Sequence, residues 1–205
     1  MTPIDVFRGE ISKPARILVA VAALLLIPSI FLPVWRITLH APQYPDGLSL
    51  VIYPNQVAGE IQEVNTLNHY IGMREIEPDE FPEFRFIPFF ILRFLGLALL
   101  AFLVARTEIA ALGWLDFVIF GVVMMADFQH WLYEYGHNLS PTAPIRMEPF
   151  TPGLIGTTKV ANFTVTSWPA AGAILMGVAG ALGPVALLVE WRHRRKAAAS
   201  AEAES

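Results

Sequence analysis

Residues 127–137, which read DFQHWLYEYGH, carry two imidazoles and two carboxylates at helical spacing. If the preceding apolar segment continues through them as a helix, Asp127, His130, Glu134 and His137 share one helix face. Met124 extends that face by one turn. Imidazole and carboxylate groups so arranged can bind a divalent metal or relay protons. The alternative is the polar end of a membrane helix, where the same side chains simply meet water.

A second pair of candidate ligands occurs earlier in the chain. His69 and Met73 are four residues apart in residues 65–73, which are predicted to form a short helix. Because the chain has no Cys, a metal site must use His, Met, carboxylate or backbone oxygen. Imidazole with thioether suits copper, which is therefore the candidate cofactor, although the same side chains could be solvated. The candidate metal ligands are His69, Met73, His130 and His137, with Glu134 in support.

The composition places these residues in a membrane protein. The chain has 205 residues, of which 55% are hydrophobic and 16% charged, and its mean hydropathy is +0.51. Soluble domains carry about 25% charged residues. The apolar residues also come in long blocks, so the fold class predicted here is an all-α membrane protein with a partly β extracytoplasmic loop domain.

Four blocks approach the roughly 20 apolar residues needed to cross a bilayer. The predicted transmembrane helices are residues 17–35, 87–104, 112–132 and 168–189. The first could instead be a signal peptide, but its apolar run is long and no small-residue cleavage site follows, which favours an uncleaved anchor. Residues 1–16, 105–111 and 190–205 are predicted to be an N-terminal segment, a turn and a basic tail on the cytoplasmic side.

Basic residues near the two ends of the chain set the predicted orientation. Positive charges concentrate on the cytoplasmic side of membrane proteins. They flank the first span (Arg8, Lys13 and Arg16) and follow the last (Arg192, Arg194, Arg195 and Lys196). We therefore expect a multi-pass protein of the bacterial cytoplasmic (inner) membrane with both termini in the cytoplasm. All five tryptophans fall at or near predicted span ends, as in aromatic belts.

The two segments expected outside are residues 36–86 and 133–167. The first is predicted to form short strands at 36–40, 48–53 and 57–61, with turns at 44–47 and 54–55. The second is rich in Pro and is expected to be ordered by docking on the first or by lying over the helix bundle.

Two charges lie within predicted spans. Arg93 and Asp127 sit at similar depths below the outer boundary of neighbouring helices, and each is costly in a bilayer when unpaired. We expect an ion pair or a shared hydrogen-bond network between them; the alternative is that Arg93 extends to the surface while Asp127 faces water.

Several motifs resemble a family of small bacterial membrane proteins, the NosB-type proteins associated with nitrous oxide reductase gene clusters. The resemblance spans about residues 35–170. It is carried by QYPDGL at 43–48, LNHYIGM at 67–73, YGHNL followed by SP at 135–141, and PGLIG at 152–156. It implies an accessory role in denitrification, in the maturation of, or electron supply to, a periplasmic copper enzyme. It supplies no catalytic residues.

The functional expectation is thus a membrane accessory protein with an outward-facing surface containing His and Met. Its expected partners are the lipid bilayer and a periplasmic or membrane protein, and no nucleic acid. No nucleotide-binding glycine motif, Ser-His-Asp pattern or zinc-protease motif is present, so no independent catalytic activity is expected. The alternative is a structural, anchoring or quinol-interacting subunit with no metal of its own.

Overall fold

A computed structural model describes residues 9–160 and 162–203. Arg8, which contributes to the predicted orientation, and residues 204–205 of the predicted tail lie outside the described residues. The chain divides into two compact units. The helical unit contains the described residues up to Ile30, together with Phe89–Gly121 and Ile174 onward. The sheet unit contains Phe31–Pro88 and Val122–Ala173.

The described residues form five α-helices, one short 3₁₀ helix at Pro78–Glu80 and five strands. The helices are α1 (Lys13–Ser29), α2 (Ile61–Ile71), α3 (Glu83–Val104), α4 (Thr107–His137) and α5 (Ala171–Ala203). The strands are β1 (Trp35–Ala41), β2 (Tyr44–Tyr53), β3 (Gln56–Gly59), β4 (Gly156–Val160) and β5 (Phe163–Pro169).

Among the described residues, three helices are long and apolar enough to cross a membrane: α3, α4 and α5. This confirms the membrane-compatible class but gives three spans of sufficient length where the sequence predicted four. The exception is α1, which has 17 residues and includes Pro28 near its end. At 1.5 Å per residue it is about 26 Å long, somewhat short of a hydrocarbon core of about 30 Å.

In the helical unit, small residues of α5 receive large aromatic side chains of α4. A Cβ atom on Gly180 would come within 2.9 Å of the Phe117 ring, and one on Gly183 would overlap Trp114. The Trp114 indole also donates to the Gly180 carbonyl oxygen at 2.8 Å. Trp114 therefore packs between α4 and α5. Small residues let membrane helices approach closely in this way.

A buried polar network ties the start of the chain to the other helices of this unit. Glu190 of α5 is 2% exposed, accepts a hydrogen bond from the Ser12 backbone N–H at 2.7 Å and pairs with Arg194 at 2.6 Å. Arg194 also donates to the Thr107 hydroxyl at 2.9 Å. The Ser12 side chain makes no capping bond to α1, and the Glu190 carboxylate accepts from the backbone N–H of Ser12 itself, which has no partner within the helix.

In the sheet unit, the five strands form one antiparallel sheet in the order β3-β2-β1-β5-β4. The first predicted outer segment supplies the hairpins β1–β2–β3, and the predicted turn at 54–55 joins β2 to β3. The turn predicted at 44–47 is displaced, because Ala41 pairs with Tyr44 and those residues belong to β2. Gly47 retains a positive φ of 86°, which only glycine adopts without strain.

The second outer segment docks on the first, one of the two arrangements expected for it. Its strand β5 pairs with β1 from Trp35–Pro169 to His40–Thr164. The Trp35 indole donates to Ser167 Oγ, and Ser167 Oγ donates to the Leu154 carbonyl oxygen, each at 2.8 Å. The Pro-rich residues also bond to the end of α2, through Ser140 N–H to the Gly72 carbonyl oxygen at 2.8 Å.

One face of this sheet packs against α2. Side chains alternate between the two faces of a strand, so every second residue of β1 and β2 points the same way. The residues of this core, from β1, β2 and α2, are Ala41, Leu48, Leu50, Val64 and Leu67. Ile37 and Leu39 of β1 also pack against this core, so the alternate residues Arg36, Thr38 and His40 lie on the opposite face.

Candidate functional site

The predicted His69–Met73 pair does not share a helix face. The α2 helix ends at Ile71, and Gly72 follows in the left-handed conformation with φ 81°. The Gly72 C-cap turns the chain before Met73, so the four-residue spacing no longer places the two side chains one above the other. His69 is exposed on the last turn of α2.

The other two predicted ligands, His130 and His137, do lie on one continuous helix. The α4 helix extends to His137, so Gly136 does not end it and the stripe from Asp127 to His137 exists. His130 is exposed near Trp131. The His137 ring stacks on Tyr133 with centroids 3.8 Å apart, and its Nδ1 lies 3.1 Å from the Tyr133 carbonyl oxygen. Glu134 accepts a hydrogen bond from the Asn138 amide.

The His137 ring and the Glu134 carboxylate are thus already in contact with near neighbours in the chain, Tyr133 and Asn138. Across residues 9–160 and 162–203, no group of three or more His, Asp or Glu side chains is arranged to hold a metal ion. A site made from His69, Met73, His130 and His137 therefore stays a prediction from the sequence, and so does copper as its metal.

Arg93 has a different partner from the predicted one. Its guanidinium lies 2.5 Å from the carboxylate of Asp116, and it also faces the rings of Phe90 and Phe94 at 4.7 and 5.2 Å. The prediction counted depth from the outer ends of the helices and chose Asp127. Because α3 and α4 are joined by only two residues, Ala105–Arg106, distance from this turn decides the register. Arg93 lies about 18 Å and Asp116 about 15 Å from it.

An aromatic cluster in the sheet unit surrounds Arg74. The Arg74 guanidinium lies 5.6 Å from the Trp131 ring centroid and 5.0 Å from that of Tyr135, and Phe81 packs edge-on against Trp131 at 4.8 Å. Arg74 also pairs with Glu80 at 3.3 Å. Tyr135 donates to the Glu75 carbonyl oxygen at 3.2 Å. Arg74 is the cation of this cluster. Its contacts, with those of Phe81 and Glu75, fix the acidic residues 75–83 against α4.

The sheet face opposite α2 is polar, and sequence reasoning missed it. It contains Arg36, Thr38 and His40 of β1, Ser49 of β2, Thr157 and Lys159 of β4, and Thr164, Thr166 and Trp168 of β5. We call these nine residues the polar sheet face. The signal that could have revealed it is the apolar–polar alternation in residues 163–166, which read FTVT.

The pairing of β1 with β2 and β5 places the residues of this face side by side, and a side-chain hydrogen bond links two of them. Thr38 lies opposite both Ser49 and Thr166, and the Thr166 hydroxyl donates to the Thr38 carbonyl oxygen at 3.2 Å. Arg36 pairs in register with Trp168, which is 55% exposed. Arg36 and Lys159 give the face cationic character, while its four threonines and one serine offer neutral donors and acceptors. Such a surface suits an acidic protein partner.

No protein-family model matches this chain, and no curated protein matches it. The likeness to NosB-type proteins therefore stays a prediction from the four sequence motifs quoted for it. All four fall in the sheet unit, within Phe31–Pro88 and Val122–Ala173. The features that resemble that family thus belong to the part of the chain that carries the polar sheet face.

Proposed function

We propose that this protein is a membrane-anchored accessory subunit whose sheet unit lies outside the cytoplasmic membrane and holds an acidic protein partner on the polar sheet face. The observation that carries the proposal is the row of Arg36, Thr38 and His40 beside Thr166 and the exposed Trp168. Exposed Trp and Arg are the side chains that most often dominate protein–protein binding.

Charge and topology support this assignment. The basic residues near both ends of the chain favour a cytoplasmic location for the termini, which places residues 36–86 and 133–167 outside. Four crossings are part of the proposal: α1 completes the bundle by packing Ala15 with Ala186 of α5, and the flanking residues Ile30–Val34 extend its reach. The resemblance to NosB-type proteins suggests nitrous oxide reductase, a periplasmic copper enzyme, as the partner to test.

The deciding experiment measures binding of purified nitrous oxide reductase to the full chain in lipid nanodiscs by biolayer interferometry. We expect saturable binding that weakens as salt concentration rises. Trp168→Ala should weaken it at least tenfold, and Arg36→Glu with Lys159→Glu should abolish it. Tyr70→Ala is the matched control, because Tyr70 is an exposed aromatic residue of α2, on the other side of the sheet.

Two outcomes would contradict the proposal. If Trp168→Ala and Tyr70→Ala weaken binding equally, the polar sheet face is not the docking surface. If the sheet unit is digested by protease added to sealed inside-out vesicles but protected in intact spheroplasts, its location outside the cytoplasmic membrane is wrong.

A further inference from the structure

The Arg93–Asp116 ion pair lies in the middle of two helices that are long enough to cross a membrane. Arg93 is near the centre of the 22-residue α3. At about 15–18 Å from the α3–α4 turn, the pair falls near the midplane of a hydrocarbon core about 30 Å thick. A charge at that depth costs about 2.5–3.5 kcal/mol on insertion scales, so it requires partners.

The pair is not covered within its own unit. The Arg93 and Asp116 side chains remain 39% and 36% exposed. A guanidinium has five N–H donors, and a single carboxylate takes two of them in a bidentate pair. At least three donors are thus available to a further acceptor on the exposed side.

The exposed side carries an apolar patch formed by residues of α3 and α4. Gly96 and Leu100 continue the line of Arg93 along α3, while Leu112 and Ile119 flank Asp116 on α4. All four are exposed, and nothing lies within 4 Å of the position that a Cβ on Gly96 would occupy. A glycine facing open space lets a neighbouring helix approach closely.

We propose that this patch is the contact surface of a homodimer, in which Arg93 and Asp116 of two copies form one four-charge cluster. A two-fold axis along the membrane normal keeps each residue at the same depth in both copies. Arg93 of one copy therefore meets Asp116 of the other at the midplane, and the mixed-sign patch is complementary to itself. Lipid headgroups lie about 15 Å away from the midplane and do not reach it.

The test uses single-cysteine cross-linking, which is clean because the full chain contains no Cys. Gly96→Cys is introduced into the apolar patch. Gly177→Cys is the matched control, since Gly177 is an exposed glycine of α5 that also has nothing within 4 Å of its Cβ position. We expect oxidation of native membranes to convert Gly96→Cys, and not Gly177→Cys, into a species of twice the monomer mass.

A second measurement guards against a variant that packs poorly. Single-molecule photobleaching counts labelled copies of the full chain in lipid vesicles. Gly96→Leu, which keeps the ion pair, and Arg93→Leu with Asp116→Leu should each lower the dimer fraction at least threefold at a fixed protein-to-lipid ratio. Gly177→Leu should leave it unchanged.

Three results would overturn the inference: equal cross-linking of the two cysteine variants, a monomeric wild-type chain in vesicles, or cross-linking of Gly96→Cys to a protein of different mass. The inference requires α3 and α4 to cross the bilayer, but it does not involve the polar sheet face. Failure of the dimer therefore leaves the proposed docking function standing, and loss of partner binding leaves the dimer standing.

Discussion

The indole N–H of Trp114 donates to the carbonyl oxygen of Gly180 at 2.8 Å, which seats the ring directly against α5. The same ring occupies the space that a Cβ on Gly183 would need. The contact between α4 and α5 thus depends on one hydrogen bond and on a glycine at position 183, which leaves room for the indole ring. The glycines of α5 differ in role, since Gly183 is covered by Trp114 and Gly177 faces open space.

Gly183→Ala should destabilise the protein even though alanine favours helices by about 1 kcal/mol over glycine. The added methyl group must displace a rigid indole ring, and overpacking of this kind costs about 1–3 kcal/mol. Thermal unfolding in detergent should therefore show a lower midpoint for Gly183→Ala. Gly177→Ala, with the same propensity gain and no clash, should match or exceed the wild type. Equal midpoints for the two variants would refute the packing role assigned to Gly183.

Glu190→Leu should be strongly destabilising, because it removes the acceptor of the Ser12 N–H and the Glu190–Arg194 ion pair. Breaking a buried pair by deleting one member costs about 3–5 kcal/mol. Chemical unfolding in mixed micelles measures the loss. Arg192→Leu, an exposed change on the same helix, is the control and should lie close to the wild type. A small effect of Glu190→Leu would mean that the network contributes little to stability.

Ser167→Ala should loosen the junction between the two segments of the sheet unit. It leaves the Trp35 indole N–H and the Leu154 carbonyl oxygen without their shared partner. Each unsatisfied buried group costs about 1–3 kcal/mol. We expect faster proteolysis within residues 133–167 than in the wild type. Thr157→Ala, on the edge strand β4, should not accelerate it, and similar rates for both variants would argue against Ser167 as the junction.

Copper titration addresses the ligands predicted from the sequence. The His137 ring stacks on Tyr133, and Met73 lies beyond the end of α2, so these residues are not prearranged to share a metal. We expect purified protein to retain less than one copper per chain after dialysis, under both oxidising and reducing conditions. Stoichiometric copper that is lost in both His69→Ala and His137→Ala, and kept in the tail variant His193→Ala, would restore the metal-handling hypothesis.

The sequence by itself determined the features that depend on local pattern. Long apolar blocks predicted helices α3, α4 and α5, because a bilayer core demands continuous apolar length. Local turn chemistry and alternation predicted the β2–β3 hairpin, since Pro54 and Asn55 favour a turn between two apolar strands. The continuation of α4 to His137 also followed from the spacing of its polar residues.

Only the tertiary structure decided which distant residues meet. Pairing of β1 with β5 joins residues more than a hundred positions apart, and no local propensity specifies that partner. The two-residue α3–α4 turn selected Asp116 over Asp127 for Arg93, because a short connection fixes the register of antiparallel helices. The Gly72 C-cap separated His69 from Met73 by ending α2 between them. Chemistry-bearing residues were visible in the sequence, but their neighbours depended on turns and on long-range strand pairing.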